Sequence, residues 1–211
     1  MTHSLHRSGP VEELKKDFVV MAMPARGINE EGSADKVRHH LTIIKRHNPI
    51  CMGGQRVGTS CLISQDEVIG NAKSSSSTYN GVFSDRETVK QILREEIEEG
   101  VGLSIIVSGV FEEVKALAAE IGIKPHTVNF SLGIWGKKEK LPEPEILEIT
   151  TMCGHGLVSQ HLVRHYFRKV AKGYSAQKAA REMCSVCYCA IMNLDRVAQI
   201  LERGLSGKKA E

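Results

Sequence analysis

Short apolar segments alternate with capped amphipathic stretches along this chain, and this alternation limits the folds that it can adopt. The run from Asp17 to Ala25 is almost entirely apolar and predicts a buried strand. A helix is expected over residues 34–47, with Ser33 as its cap. Leu103–Ser108 predicts a second buried strand, followed by a helix over residues 111–121. Strands that alternate with helices favour an α/β fold with a mixed, mainly parallel sheet flanked by helices.

The C-terminal part of the chain is helical in its pattern. A wide apolar stripe predicts a helix over residues 157–173. Ser175 is suited to cap a short helix that continues to Met183, and Asn193 is suited to cap a last helix that ends before Gly204. We therefore expect the sheet to be followed by a helical subregion.

Other segments carry less distinct patterns. Ser84 and Glu87 have the spacing of a capping box, which predicts a helix that ends near Glu99. Short runs or partial alternation of apolar residues predict additional strands. These strands are expected at residues 61–63, 67–69, 127–135 and 146–152.

The length and composition fit one large α/β domain with a helical appendage. Of the 211 residues, 41% are hydrophobic and only 5% are aromatic, so the core must consist mainly of aliphatic side chains. The predicted organisation is an N-terminal extension at residues 1–16, a sheet domain at residues 17–152, and a helical, cysteine-bearing subregion at residues 153–211.

Charge and hydropathy exclude several classes of function. A net charge of +3 without a basic face interleaved with aromatic residues argues against nucleic acid as a partner. The polar N-terminal residues and the absence of a long apolar run predict no signal peptide, no membrane span and a cytoplasmic protein. In that compartment thiols stay reduced, so clustered cysteines favour metal binding or catalysis over disulfides.

The cysteines are the strongest chemical signal in the sequence. Cys153 lies in a Cys-Gly-His-Gly run, and Cys184, Cys187 and Cys189 form a Cys-x2-Cys-x-Cys group further along. We expect Cys153 at a turn between a strand and a helix, where the helix N-terminus favours a thiolate. Four such thiols fit a [4Fe–4S] cluster better than the paired ligands of structural zinc, although zinc remains the alternative. Neither motif matches one to which a reaction is assigned.

Two other functions fit the same residues. The metal could be structural or redox-sensing in a protein that binds a partner or small ligand, or Cys153 could be the nucleophile of a metal-free enzyme with His155 as its base. In the cluster enzyme, an open iron would bind a small anionic substrate for lyase or sulfur chemistry, and His155 would supply a proton. Arg56 and Lys73 are the candidates for holding that anion. The two remaining cysteines, Cys51 and Cys61, are assigned to packing.

Overall fold

A sheet of five antiparallel strands organises residues 6–206, the part of the chain that the computed structural model describes. The strands are β1 (Phe18–Met23), β2 (Cys51–Gly54), β3 (Gly58–Thr59), β4 (Tyr79–Phe83) and β5 (Ser104–Ser108). The helices are α1 (Val11–Leu14), α2 (Ala34–Arg46), α3 (Gln65–Gly70), α4 (Arg86–Glu98), α5 (Phe111–Glu120), α6 (Pro144–Cys153), α7 (Gln160–Ala171), α8 (Ala176–Cys184) and α9 (Leu194–Arg203).

The prediction of a mainly parallel sheet is wrong, and β4 is the reason. The strand order is β3-β2-β4-β1-β5, and every pairing in it is antiparallel. β1 and β2, which α2 joins, do run in the same direction, but β4 lies between them and pairs with both. In the same way β1 separates β4 from β5. The chain thus forms two interleaved, split β-α-β units, in which parallel strands never become neighbours.

The two faces of the sheet bury different side chains. Because successive residues of a strand point to opposite faces, Val19 and Met21 contribute to one core while Phe18 and Val20 contribute to the other. We call the core between the sheet and α6–α9 the C-terminal core, and the core between the sheet and α2–α5 the N-terminal core. The division into two cores separates the C-terminal helices from the earlier ones.

Two of the predicted segments form helices rather than strands. Residues 65–70 are helical because Ser64 and Glu67 make a full capping box, in which the Glu67 carboxylate accepts a 2.8 Å hydrogen bond from the Ser64 backbone N–H. Residues 146–152 belong to α6, in which the partial alternation of apolar residues misled the strand prediction. Glu148 is buried there because Arg196 and Arg203 donate to it. Residues 61–63 and 127–135 also lie outside the strands.

Several helices and two of the apolar strands were predicted correctly. Ser33 precedes α2 as expected, but its side chain makes no capping hydrogen bond. β1 and β5 lie within the expected segments, and Ser175 and Asn193 cap α8 and α9 by accepting backbone N–H groups. The helix expected after Ser84 is α4, although Asp85 is the residue that caps it. No helix within residues 6–206 is long and apolar enough to cross a membrane.

Candidate thiol site

All six cysteines are buried in the C-terminal core and all six are free thiols. The four that the sequence grouped together, Cys153, Cys184, Cys187 and Cys189, come from the ends of α6 and α8 and from the loop between α8 and α9. Cys51 of β2 and Cys61, which follows β3, belong to the same core. The sequence analysis had assigned both to packing. Because β2 lies beside the C-terminal helices, these two thiols belong to the same cluster of side chains.

Cys153 is the last residue of α6, and the chain turns back over its sulfur. Gly154 ends the helix in the left-handed conformation with φ 68°. Hydrogen bonding from the Cys187 thiol, and then from the backbone N–H groups of His155, Leu157 and Val158, lowers the pKa of Cys153 to about 5, although burial opposes this shift. The structure therefore favours a thiolate at Cys153.

The helix that ends at Cys153 corrects the predicted source of this stabilisation. We expected Cys153 to follow a strand and to lie at a helix N-terminus. Instead it lies at the C-terminus of α6, where the helix dipole disfavours an anion. The stabilising groups are backbone N–H donors of the loop at residues 155–158, which precedes α7.

Cys184 and Cys187 belong to the turn that ends α8. The backbone N–H of Cys187 donates a 2.9 Å hydrogen bond to the carbonyl of Cys184. Burial raises the pKa of Cys184, and the hydrogen bond to Cys153 together with burial raises the pKa of Cys187. Of the two hydrogen-bonded sulfurs, Cys187 therefore keeps the proton and Cys153 carries the charge.

Cys189 is held between the sheet and the loop that follows α6. Its sulfur lies 3.5 Å from the side-chain nitrogen of Gln55 and 3.5 Å from Nδ1 of His155. Its backbone carbonyl accepts a 2.6 Å hydrogen bond from the side chain of Asn80 in β4. The next residue, Ala190, has φ 52°, a conformation that costs an alanine about 1 kcal/mol. The loop is thus fixed from several sides in a strained conformation.

The other predicted site residues lie at different distances from this cluster. His155 is exposed and contacts Cys189. Arg56 is also exposed and follows Gln55 in the turn between β2 and β3, so it lies at the rim of the cluster. Lys73 lies elsewhere, since its carbonyl accepts a hydrogen bond from Tyr79, whose side chain belongs to the N-terminal core. Arg56 is thus next in sequence to a residue that contacts Cys189, whereas Lys73 is not.

The described residues form no preformed ion site at the thiols. Within residues 6–206, no three His, Cys, Asp or Glu side chains are grouped so that they could hold a metal ion. Two surface cavities, of about 350 and 230 Å³, are lined by residues of α4 and α5 and by residues near the start of α9, and neither is lined by a cysteine. The sulfurs are instead packed against one another and against the protein.

The fold and the site define an α/β protein with an antiparallel sheet and a core of six thiols, one of which is stabilised as a thiolate. No protein-family model matches this chain. No curated protein and no solved structure matches it either.

Proposed function

We propose that this protein is a thiol–disulfide redox protein in which Cys153 is the attacking thiolate and Cys187 is the resolving thiol. The observation that carries the proposal is the hydrogen bonding of the Cys153 sulfur by the Cys187 thiol and by the backbone N–H groups of the loop at residues 155–158. A thiolate, not a thiol, is the nucleophile in disulfide exchange. The resolving sulfur is already in contact with it.

The reaction has two exchange steps. The Cys153 thiolate attacks one sulfur of a small disulfide, RS–SR, which forms Cys153–S–S–R and releases RS⁻. Cys187 then loses its proton and attacks the Cys153 sulfur, which forms the Cys153–Cys187 disulfide and releases the second RS⁻. Cys153 and Cys187 are oxidised to the disulfide. The substrate is reduced to one thiol, which takes the Cys187 proton, and one thiolate. The reverse reaction regenerates the dithiol.

Access to Cys153 requires the loop above it to move. The Cys153 side chain is fully buried, but Gly154, His155, Gly156 and Leu157 are all exposed. Two of the three backbone donors to the sulfur, those of His155 and Leu157, thus belong to residues at the surface, while Val158 is buried. A small displacement of residues 154–157 would expose the thiolate without disturbing α6 or α7.

A small anionic disulfide is the proposed substrate, since Arg56 lies at the rim of the thiol cluster with its side chain exposed. A guanidinium binds a carboxylate with paired hydrogen bonds. The proposal also implies a reducing compartment such as the cytoplasm, where the dithiol form would be regenerated.

Reaction with a dicarboxylate aromatic disulfide, whose released thiolate is coloured, tests this function. The wild-type protein should release two thiolates in a fast phase, while Cys187→Ser should release one and retain a mixed disulfide at Cys153. Cys153→Ser should lack the fast phase, and Cys184→Ser is the matched control that should keep it. A fast phase that survives in Cys153→Ser would show that the nucleophile is wrong.

The cross-link itself can be detected in the wild-type protein, without relying on any variant. Trypsin cleaves after Lys and Arg, so Cys153 lies on the peptide 141–164 and Cys187 on the peptide 182–196. The second peptide also contains Cys184 and Cys189. Oxidised protein should yield the two peptides joined, with Cys184 and Cys189 found alkylated when the product is fragmented, and reduction should separate them. Replacing Arg56 by Gln should slow the reaction with the dicarboxylate reagent while leaving the reaction with a neutral disulfide unchanged.

A [4Fe–4S] cluster held by Cys153, Cys184, Cys187 and Cys189 is the second candidate function. It is favoured by the position of Cys184, whose proximity to Cys153 contributes to its raised pKa, and by the burial of all four thiols in the C-terminal core. The ligand arrangement is not preformed, and the contact between Cys187 and Cys153 would have to open. Protein purified without oxygen should then contain about four iron atoms per chain. If it contains neither iron nor zinc, this candidate is excluded.

A further inference from the structure

Cys51 and Cys61 form a second pair of thiols that the proposed reaction does not use. Their sulfurs lie 3.5 Å apart, and both side chains are buried, Cys51 at 1% exposure and Cys61 at 6%. Thr59 contributes a hydroxyl 3.5 Å from the Cys51 sulfur, and the Ser60 hydroxyl lies 3.7 Å from the same atom. The pair is therefore held by several polar groups rather than by apolar packing alone.

The pairing of β2 with β3 explains why these sulfurs meet. Gly54 is paired with Gly58 and Gly53 with Thr59, and the chain turns after Thr59, where β3 ends. Beyond the paired residues, the backbone N–H of Ser60 donates to the carbonyl of Met52 at 2.9 Å, and the backbone N–H of Met52 donates to the Ser60 hydroxyl at 3.0 Å. These two bonds hold the turn that carries Cys61 against the start of β2, which carries Cys51.

The glycines of this hairpin fix the close approach. Gly53 has φ 145°, and a Cβ built on it would lie 2.0 Å from the carbonyl oxygen of Gly58. A side chain at this position would force the two strands apart. The hairpin therefore keeps the two cysteines close together, and the sulfurs must approach from 3.5 Å to about 2 Å to form a disulfide.

We propose that Cys51 and Cys61 are a second redox-active dithiol, which closes to a disulfide across the β2–β3 hairpin. This inference is independent of the pair formed by Cys153 and Cys187. Cys61 is the more exposed of the two, and the hydrogen bond from Cys51 lowers the pKa of Cys61 to about 7. Cys61 is therefore the attacking sulfur and Cys51 the resolving one.

The exchange is balanced in the same way as at the first pair. The Cys61 thiolate attacks a small disulfide, RS–SR, and releases RS⁻. Cys51 then loses its proton and attacks the Cys61 sulfur, which releases the second RS⁻ and leaves the Cys51–Cys61 disulfide. The proton from Cys51 goes to one of the released thiolates, and the substrate has taken up the two electrons.

The turn of the hairpin lies beside the loop that carries Cys189. Gln55 and Arg56 form that turn, and the side chain of Gln55 donates to the Cys189 sulfur at 3.5 Å. Cys184 lies close enough to both Cys61 and Cys153 for each to contribute to its raised pKa. A disulfide between Cys51 and Cys61 would thus close the hairpin beside the residues that surround Cys153.

Peptide mapping of oxidised wild-type protein tests the inference directly. Trypsin cleaves after Arg56, so Cys51 lies on the peptide 47–56 and Cys61 on the peptide 57–73. After treatment with a small disulfide and alkylation of the remaining thiols, these two peptides should be recovered joined to each other. Reduction should separate them, and the joined product should be lost in Cys51→Ser but retained in Cys153→Ser.

The alternative results overturn this inference separately from the proposed function. If peptides 47–56 and 57–73 are recovered fully alkylated, the pair is not redox-active, even when peptides 141–164 and 182–196 are joined. If 57–73 is joined to 182–196 instead, Cys61 pairs with a cysteine of the C-terminal loop and the assignment across the hairpin is wrong.

Discussion

The side chain of Asn80 donates a 2.6 Å hydrogen bond to the backbone carbonyl of Cys189. Asn80 lies in β4, the central strand of the sheet, and is fully buried, and its side-chain oxygen accepts no hydrogen bond from any residue of the described range 6–206. A polar side chain in a central strand is costly to bury. The hydrogen bond that its side-chain nitrogen makes thus joins the loop between α8 and α9, which we call the cysteine loop, to the sheet.

Replacing Asn80 by Leu should loosen the cysteine loop. The Cys189 carbonyl would lose its donor, at a cost of about 1–3 kcal/mol, and removal of the unpaired side-chain oxygen would offset part of this. We expect a net loss of about 1 kcal/mol in the free energy of unfolding, measured by urea denaturation, together with faster alkylation of Cys189. Val89→Ala, in α4 on the other face of the sheet, is the control for lower stability alone. If Cys189 is alkylated at the same rate in Asn80→Leu and Val89→Ala, the hydrogen bond from Asn80 does not hold the loop.

Local sequence signals predicted α8 and α9, but no local signal predicted the order of the strands in the sheet. Ser175 and Asn193 mark the starts of α8 and α9 because each accepts a backbone N–H through its own side chain. β4 carries no comparable signal, since Asn80 and Gly81 interrupt its apolar pattern. A Cβ on Gly81 would lie 2.5 Å from the Ile44 side chain. The glycine therefore reflects packing against α2, which only the assembled fold defines.

In the candidate site, too, the sequence predicted what is local along the chain and missed what depends on strand pairing. The grouping of the C-terminal cysteines followed from their spacing, because Cys184, Cys187 and Cys189 are close along the chain. The proximity of Cys51 to Cys61 depends on the register of β2 and β3, which the sequence analysis did not predict. The glycines that flank this hairpin were the signal that could have identified the pair.

Arg196 should be among the most important residues for stability. Its guanidinium is 3% exposed and donates to Asp17 at 2.8 Å and to Glu148 at 3.2 Å, which joins β1 to α6 and α9. Arg196→Met would leave two buried carboxylates with fewer partners, and we expect a loss of about 3 kcal/mol in the free energy of unfolding.

An exposed arginine provides the matched control for this prediction. Arg46 pairs with Glu95 at 3.2 Å but its side chain is 47% exposed, so Arg46→Ala should cost much less than Arg196→Met. Urea denaturation of both variants gives the comparison. Similar losses in the two would mean that burial of the Arg196 network does not contribute to stability as we expect.

The reactivity of Cys153 should be nearly independent of pH in the neutral range. Its pKa is lowered to about 5, so its thiolate is almost fully formed above that pH and is lost only as the pH falls through this value. Alkylation by iodoacetamide should change less than about two-fold between about pH 6 and pH 8, whereas an ordinary thiol should change about 100-fold. The same cysteine in urea-unfolded protein is the control. A steep rise across this range in the folded protein would rule out the stabilised thiolate.

Gly156 should be required for the thiolate without being required for the fold. It has φ 71° in the loop over Cys153, and a Cβ built on it would meet no atom within 4 Å, so Gly156→Ala introduces backbone strain alone. Gly122, at the end of α5, has φ 73° and equally open surroundings. Each alanine should lower the free energy of unfolding by about 1 kcal/mol. Only Gly156→Ala should shift the neighbouring N–H donors, raise the pKa of Cys153 and slow its alkylation at about pH 6. If Gly122→Ala slows this alkylation equally, the effect comes from reduced stability and the loop does not hold the thiolate.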